Sequence, residues 1–209
     1  YEPEKVERIR KQYIDGKKYM FCTVSRLEKE KNISFLLEGL ALLKKNKGDC
    51  FRFLLIGDGS EREELSKEAK RLGLEKNVVF CGCIEHSELS NYYQACDLFL
   101  FASRSETQGI VLLEAMAAGL PIVAVKASGT NDVVRDGWNG YITELDVDDW
   151  ETALEQLIEN KHLRKWMEQA AIAEAKRYLS HNVAKKVERL YQNVITYRRM
   201  EQAYENRII

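Results

Sequence analysis

The sequence predicts an α/β protein built on a doubly wound parallel sheet, followed by carboxyl-terminal helices. Two observations carry that expectation. Short runs rich in β-branched and aromatic residues alternate with helical patterns from Tyr19 to Val125. Such alternation joins parallel strands by helices and covers both faces of a sheet. At 209 residues, 45% hydrophobic and 31% charged, the chain can also bury one substantial core and no comfortable second one.

The elements follow in order. Glu2 to Lys18 is a charged amphipathic helix candidate that precedes the first buried strand, Tyr19 to Ser25. Further strands are expected at Phe51 to Ile56, Val78 to Cys81, Leu98 to Phe101 and Ile122 to Val125. Between them helical spacing marks Lys31 to Asn46, Glu61 to Leu72, Ser87 to Ala95 and Gly109 to Ala118, the last stopped by Gly119 and Pro121. A sixth short strand is expected after the turn Asp136-Gly137-Trp138-Asn139-Gly140. From Asp146 onward the pattern is helical, over Asp146 to Glu159, His162 to Tyr178 and Asn182 to Arg207. Val183, Val187, Leu190, Val194 and Tyr197 form an apolar stripe on the last of these. The domain division is an entering helix at 1–18, the sheet domain at 19–179 and a terminal helix at 180–209.

Composition excludes several classes. A formal net charge of −1 gives no global attraction to nucleic acid or to an anionic membrane. No stretch approaches the ~20 apolar residues that span a bilayer, and no charged-then-apolar leader opens the sequence, so a cytoplasmic location is expected. Cys22, Cys50, Cys81, Cys83 and Cys96 are odd in number and sit mostly in or beside strands, which favours buried thiols. Neither Cys81-x-Cys83 nor His86, His162 and His181 make a spaced ligand set, so no metal is expected. His86 reads as a residue opening a helix.

The chemistry gathers after the fourth strand, at Ser103-Arg104-Ser105-Glu106-Thr107-Gln108-Gly109-Ile110-Val111-Leu112-Leu113-Glu114. Glu106 falls on the loop at a strand's carboxyl end, and Glu114 about 7–8 Å along the following helix. Carboxylates accept hydrogen bonds from vicinal hydroxyls, so Glu114 suits a ribose diol and Glu106 a hexose diol. Between them, free N–H groups at Thr107, Gln108, Gly109 and Ile110 would meet a diphosphate at the helix N-terminus. In open α/β sheets ligands bind at such strand ends.

With Ala115-Met116-Ala117-Ala118-Gly119-Leu120-Pro121 after it, this Glu-x7-Glu segment resembles family 4 of the retaining GT-B glycosyltransferases, often called glycosyl transferase group 1. Ser25-Arg26-Leu27-Glu28-Lys29-Glu30-Lys31-Asn32 is similar to that family's Gly-Arg-Leu-x3-Lys-Gly segment, with Ser25 and Asn32 in place of its glycines. Gly57-Asp58-Gly59 and the segment Val78 to Ile84, matching the family's base-side loop, come in the family's order. The resemblance covers roughly the whole chain. It implies a Rossmann-like domain forming the carboxyl-terminal, donor-binding half of a GT-B fold, whose last helix, 180–209, crosses to an amino-terminal domain missing here. Opening on Tyr1, the sequence reads as an excised fragment, and little sugar transfer is expected from it alone.

The implied function is transfer of a hexose from a nucleoside-diphosphate sugar, UDP-glucose by preference, to a lipid or saccharide acceptor. The resemblance gives Arg26 and Lys31 the donor diphosphate and Glu106 the sugar, these three being the catalytic candidates. Donor binding extends to Ile84, Thr107, Gln108, Gly109, Ile110 and Glu114. Gln108, where many members have Phe, points to enzymes that glucosylate diacylglycerol. The full-length enzyme is then expected in the cytoplasm, peripheral to the inner face of the membrane. Anomeric configuration is retained, by attack on the face the phosphate leaves. Two cations and a helix N-terminus face the leaving group, so no metal or cofactor is required.

Ordinary readings stand beside these. Glutamates at a helix start interact favourably with its dipole, Arg26 and Lys31 lie in a charged stretch typical of surfaces, and Gly57-Asp58-Gly59 is also a plain tight turn. A dinucleotide-binding oxidoreductase domain would carry Gly-x-Gly-x-x-Gly after the first strand, where Val24-Ser25-Arg26-Leu27 stands instead. A non-catalytic nucleotide-binding or interaction module of the same fold is the remaining alternative. Its degenerate site would have lost Arg26, Lys31, Glu106 or Glu114, and all four are present.

Overall fold

Six strands form where the sequence places them: β1 (Tyr19–Val24), β2 (Phe51–Ile56), β3 (Val78–Gly82), β4 (Leu98–Phe101), β5 (Ile122–Val125) and β6 (Gly140–Thr143). They make one wholly parallel sheet in the order β3-β2-β1-β4-β5-β6. The computed structural model describes residues 1–205. Around the sheet run α1 (Pro3–Ile14), α2 (Ile33–Lys47), α3 (Arg62–Arg71), α4 (His86–Ala95), α5 (Ile110–Ala117), α6 (Ser128–Val133), α7 (Val147–Glu159), α8 (Lys161–Arg177) and α9 (Ser180–Glu205). Chain order reverses between β1 and β4, so the loops leaving those two strands part to opposite faces and open a crevice.

The strands are buried on both sides, and their side chains alternate between two cores. Tyr19, Phe21, Phe51, Phe53 and Leu55 join α2, α3 and α7 on one face. Met20, Cys22, Leu54, Ile56, Phe99 and Phe101 join α1, α4 and α5 on the other. Each large apolar side chain taken out of water this way is worth about 1.5–3 kcal/mol. The two halves of the sheet meet where β1 pairs with β4 through Phe21↔Leu98 and Cys22↔Phe99. Asp97 stitches that joint. Its N–H donates to the Met20 carbonyl at 2.6 Å, and its Oδ2 accepts from the Met20 N–H at 2.8 Å and Arg10 Nη2 at 3.0 Å.

Several elements differ from expectation for local reasons. The first helix stops at Ile14 rather than Lys18, because Asp15 (φ 46°) and Gly16 (φ 73°) turn left-handed. The helix expected from Lys31 begins at Ile33 instead, after a 3-10 turn at Lys29–Lys31, and Asn32 between them sits at φ 52°, ψ 42°. This is the conformation glycine adopts freely and asparagine tolerates best among other residues, so Asn32 can stand where the resembling segment has glycine. Asn32→Ala is therefore expected to lower stability by about 1 kcal/mol while Asn32→Gly leaves it nearly unchanged, as urea melts of the two variants will show. Helix α6 was not expected at all. Ser128-Gly129-Thr130-Asn131-Asp132 reads as a turn, and only burial of Gly129, Thr130 and Val133 makes six residues helical.

Helix α9 begins two residues before the expected Asn182, and the expected end at Arg207 lies outside the described residues. Val183, Val187, Leu190, Val194 and Tyr197 are all exposed on it. No helix among the described residues is long and apolar enough to cross a membrane. All five cysteines are free thiols. Burial pushes the Cys81 thiol up to about 12, while Cys83 is exposed just past the end of β3.

Candidate functional site

A cleft of about 340 Å³ lies over the carboxyl ends of β1 and β4, where the strand order reverses. Val24, Ser25, Arg26 and Lys31 line it from the β1 side, Phe101, Glu106, Thr107 and Gln108 from the β4 side, and Ile110, Val111 and Glu114 from α5. Two segments distant in sequence, 24–31 and 101–114, thus meet because a parallel sheet delivers every strand-to-helix loop to one edge.

Backbone contacts hold these loops together. The Glu30 carbonyl accepts from the Arg104 N–H at 2.8 Å and from Ser103 Oγ at 3.3 Å, tying the β1 loop to the β4 loop. The β2 loop supports the β1 loop from beneath. Leu27 N–H donates to the Asp58 carbonyl and Glu61 N–H to the Leu27 carbonyl, each at 2.9 Å. Glu28 accepts from the Ser60 hydroxyl at 2.7 Å and from its N–H at 3.2 Å, and these bonds hold its carboxyl below the usual range. Gly57 (φ 127°) makes that closeness possible, since a Cβ there would stand 1.9 Å from the Ser25 carbonyl oxygen. Gly57-Asp58-Gly59 is therefore more than a turn: it is the floor under Ser25 and Arg26.

The charged groups are arranged asymmetrically. Arg26 is 75% exposed at its side chain and, among the described residues, reaches only Glu30, Nη2 to Oε1 at 3.3 Å, which leaves its guanidinium room to swing over the cleft. Lys31 is largely covered, with Nζ 3.7 Å from Glu106 Oε2. Glu106 Oε1 accepts from the Gly109 N–H at 3.0 Å and the Gln108 N–H at 3.4 Å. The expectation that those two N–H groups stand free is thereby corrected: the loop turns back at Gly109 (φ 63°) and brings the carboxylate three residues upstream onto them.

Glu114 faces the cleft from one turn inside α5. Its Oε2 accepts from the buried Tyr93 hydroxyl at 3.1 Å, and its Oε1 lies 4.0 Å from His86 Nδ1. Burial first, and then the charge of Glu114, push the Tyr93 phenol up, so it stays protonated and donates. His86 opens α4 as expected. Glu114 is also the wall between this cleft and a second, apolar one of about 330 Å³ beneath His86, Leu89 and Tyr93.

The cleft gathers Arg26, Lys31, Glu106, Thr107, Gln108, Ile110 and Glu114. Two other residues named from sequence are placed differently. Gly109 is buried under the loop, where it serves the turn rather than the surface. Ile84 lines a separate groove between α1 and α4, with Lys5, Arg8 and Tyr92, because β3 lies two strands away from the reversal point. Sequence reasoning missed Tyr93, whose helical spacing marks it as core, and Gly129, whose N–H donates to the Glu106 carbonyl at 2.9 Å. A glycine in the β5 loop opposite the Glu106 loop was the available signal for the second; the first left none. Among the described residues, no three His, Cys, Asp or Glu side chains are grouped to hold a metal ion.

Comparison with known proteins agrees on one family. The family model described as glycosyl transferases group 1 matches residues 5–174. An alpha-monoglucosyldiacylglycerol synthase of Streptococcus pneumoniae is 36% identical over 128 residues, which cover 61% of this chain and 29% of that protein. The protein of the same name from Acholeplasma laidlawii is 31% identical over 199 residues, covering 93% and 49%. The chain thus spans less than half the length of either relative. The solved structure of Anabaena Alr3699/HepE in complex with UDP is similar with a TM-score of 0.81 at 27% identity, over 92% of this chain and 54% of that one.

Proposed function

The chain belongs to the glycosyl transferases group 1 family, and from that membership we propose that it is the carboxyl-terminal, donor-binding half of a retaining family 4 enzyme. The enzyme transfers a hexose from a nucleoside-diphosphate sugar, UDP-glucose by preference, to a lipid or saccharide acceptor. One observation carries the reading: two cations from the β1 loop and two carboxylates, one from the β4 loop and one from α5, line one cleft at the sheet's reversal point. The names of the two glucosyldiacylglycerol synthases support glucose and a lipid acceptor, and the UDP held by the Anabaena protein supports the nucleotide. The acceptor groups belong to the amino-terminal half of the whole protein, to which α9 crosses, so the division at 1–18, 19–179 and 180–209 is part of the proposal. Its place is the cytoplasm, at the inner membrane face.

In this mechanism the bond from the hexose anomeric carbon to the phosphate oxygen breaks. A bond to the acceptor oxygen forms on the same face, and the acceptor proton passes to the departing phosphate. Arg26 and Lys31 take up the charge developing on the diphosphate, without a metal ion or cofactor. Glu114 holds the ribose diol, positioned by Tyr93, and Glu106 orients the sugar.

Calorimetric titration of the chain with UDP, GDP, ADP and NAD tests this reading. One nucleoside diphosphate should bind selectively, and Glu114→Ala and Arg26→Ala should each weaken it about tenfold, the loss of one charge-assisted hydrogen bond. Preference for NAD, or indifference to both substitutions, would sink it. GDP as the preferred ligand would remove the UDP-glucose assignment alone.

A further inference from the structure

Lys31, which the proposed reading gives to the donor diphosphate, already faces a carboxylate of the chain, that of Glu106. Its Oε1 holds the N–H groups of Gln108 and Gly109 at the start of α5, and its Oε2 faces Lys31 Nζ at 3.7 Å. Both side chains of that pair are more than four-fifths covered. A helix N-terminus and a lysine together favour one anion, and here a carboxylate of the chain itself is that anion. An incoming diphosphate would have to take the same three donors from it and would meet its negative charge at close range.

We propose that Glu106 is a specificity determinant which discriminates between a nucleotide sugar and the bare nucleoside diphosphate. The inference rests on the donor-site reading above. A nucleoside diphosphate competes with Glu106 for Lys31 and the two N–H groups and offers the displaced carboxylate nothing, since its phosphate oxygens only accept. A nucleotide sugar brings hydroxyl donors beside the diphosphate, so the carboxylate exchanges its present partners for new ones as the phosphate enters. After transfer those hydroxyls are gone with the sugar, and Glu106 regains Lys31 and the loop N–H groups as the diphosphate departs. The loop backbone is held at Arg104, whose N–H donates to the Glu30 carbonyl, and at Glu106, whose carbonyl accepts from the Gly129 N–H, so the exchange of partners falls to the Glu106 side chain.

Calorimetry of the chain with UDP and with UDP-glucose, in wild type, Glu106→Ala and Glu106→Gln, tests this. Glu106→Ala removes the competitor and is expected to bind UDP about three- to tenfold tighter. Glu106→Gln keeps the shape and a neutral acceptor and should fall between it and wild type. UDP-glucose should gain less than UDP in both, so the preference for the sugar form narrows. UDP binding unchanged or weakened in both variants overturns the inference, and thermal melts establish that each variant is folded. UDP binding that Glu114→Ala weakens but neither Glu106 variant tightens removes this inference and leaves the donor reading standing. Binding by none of the chains overturns both.

Discussion

Gly57→Ala is expected to cost about 2–5 kcal/mol of stability and to weaken nucleoside-diphosphate binding by about tenfold or more. Two penalties add. Gly57 has φ 127°, a region that side chains rarely enter, and its Cβ would lie 1.9 Å from the Ser25 carbonyl oxygen and 3.0 Å from the Ser25 carbonyl carbon. The colliding atoms are backbone on both sides, so no rotamer change relieves them. Ser25 and Arg26 must move, and with them one cation of the cleft. Urea melts and UDP titration of the same variant measure both effects. An affinity equal to wild type in a folded Gly57→Ala protein would show that the β2 loop does not position Arg26.

Trp150→Ala should separate stability from binding. Trp150 is fully buried on α7, its ring edge-on to Phe35 of α2 at 5.9 Å and 78° between planes. Removing it leaves a large cavity under those helices and is expected to lower stability by about 3–5 kcal/mol. It belongs to the core on the face away from α5, and it lines no part of the cleft. UDP affinity well below the melting transition should therefore match wild type. A stability loss under about 1 kcal/mol would mean that the core collapses around the vacancy, contrary to its packing.

Much of the fold was legible because hydrophobic runs and their punctuation are local signals. Leu98–Phe101 and Ile122–Val125 are short apolar runs closed by polar residues or Pro121, and both strands begin and end where the sequence places them. The helix after Gly109 was legible from its apolar spacing and from the Gly119-Leu120-Pro121 stop. The break at Asn32 was not, because the apolar pattern runs on through it and only the φ of one residue marks it. Helix α6 was hidden for the opposite reason: its residues prefer turns, and burial overrides them.

At the cleft, the residue types and their loops could be read, but not their partners. Nothing local tells that Tyr93 reaches Glu114, 21 positions on, or that Glu106 folds back onto its own loop. Ile84 shows the limit from the other side. A sequence match places a residue along the chain, whereas the sheet order decides which groove it faces.

The joint between β1 and β4 carries a consequence for how the chain folds. β3, β2 and β1 are linked by short crossovers and can assemble early, as can β4, β5 and β6. The pairing of Phe21 with Leu98 and of Cys22 with Phe99 closes the largest sequence separation between neighbouring strands, so on loop-closure entropy it is expected to form last. The cleft sits over that joint and nowhere else. A half-assembled chain would hold Arg26 and Lys31 on one piece and Glu106 and Glu114 on the other, so the proposed nucleotide affinity is expected only once the two pieces have docked.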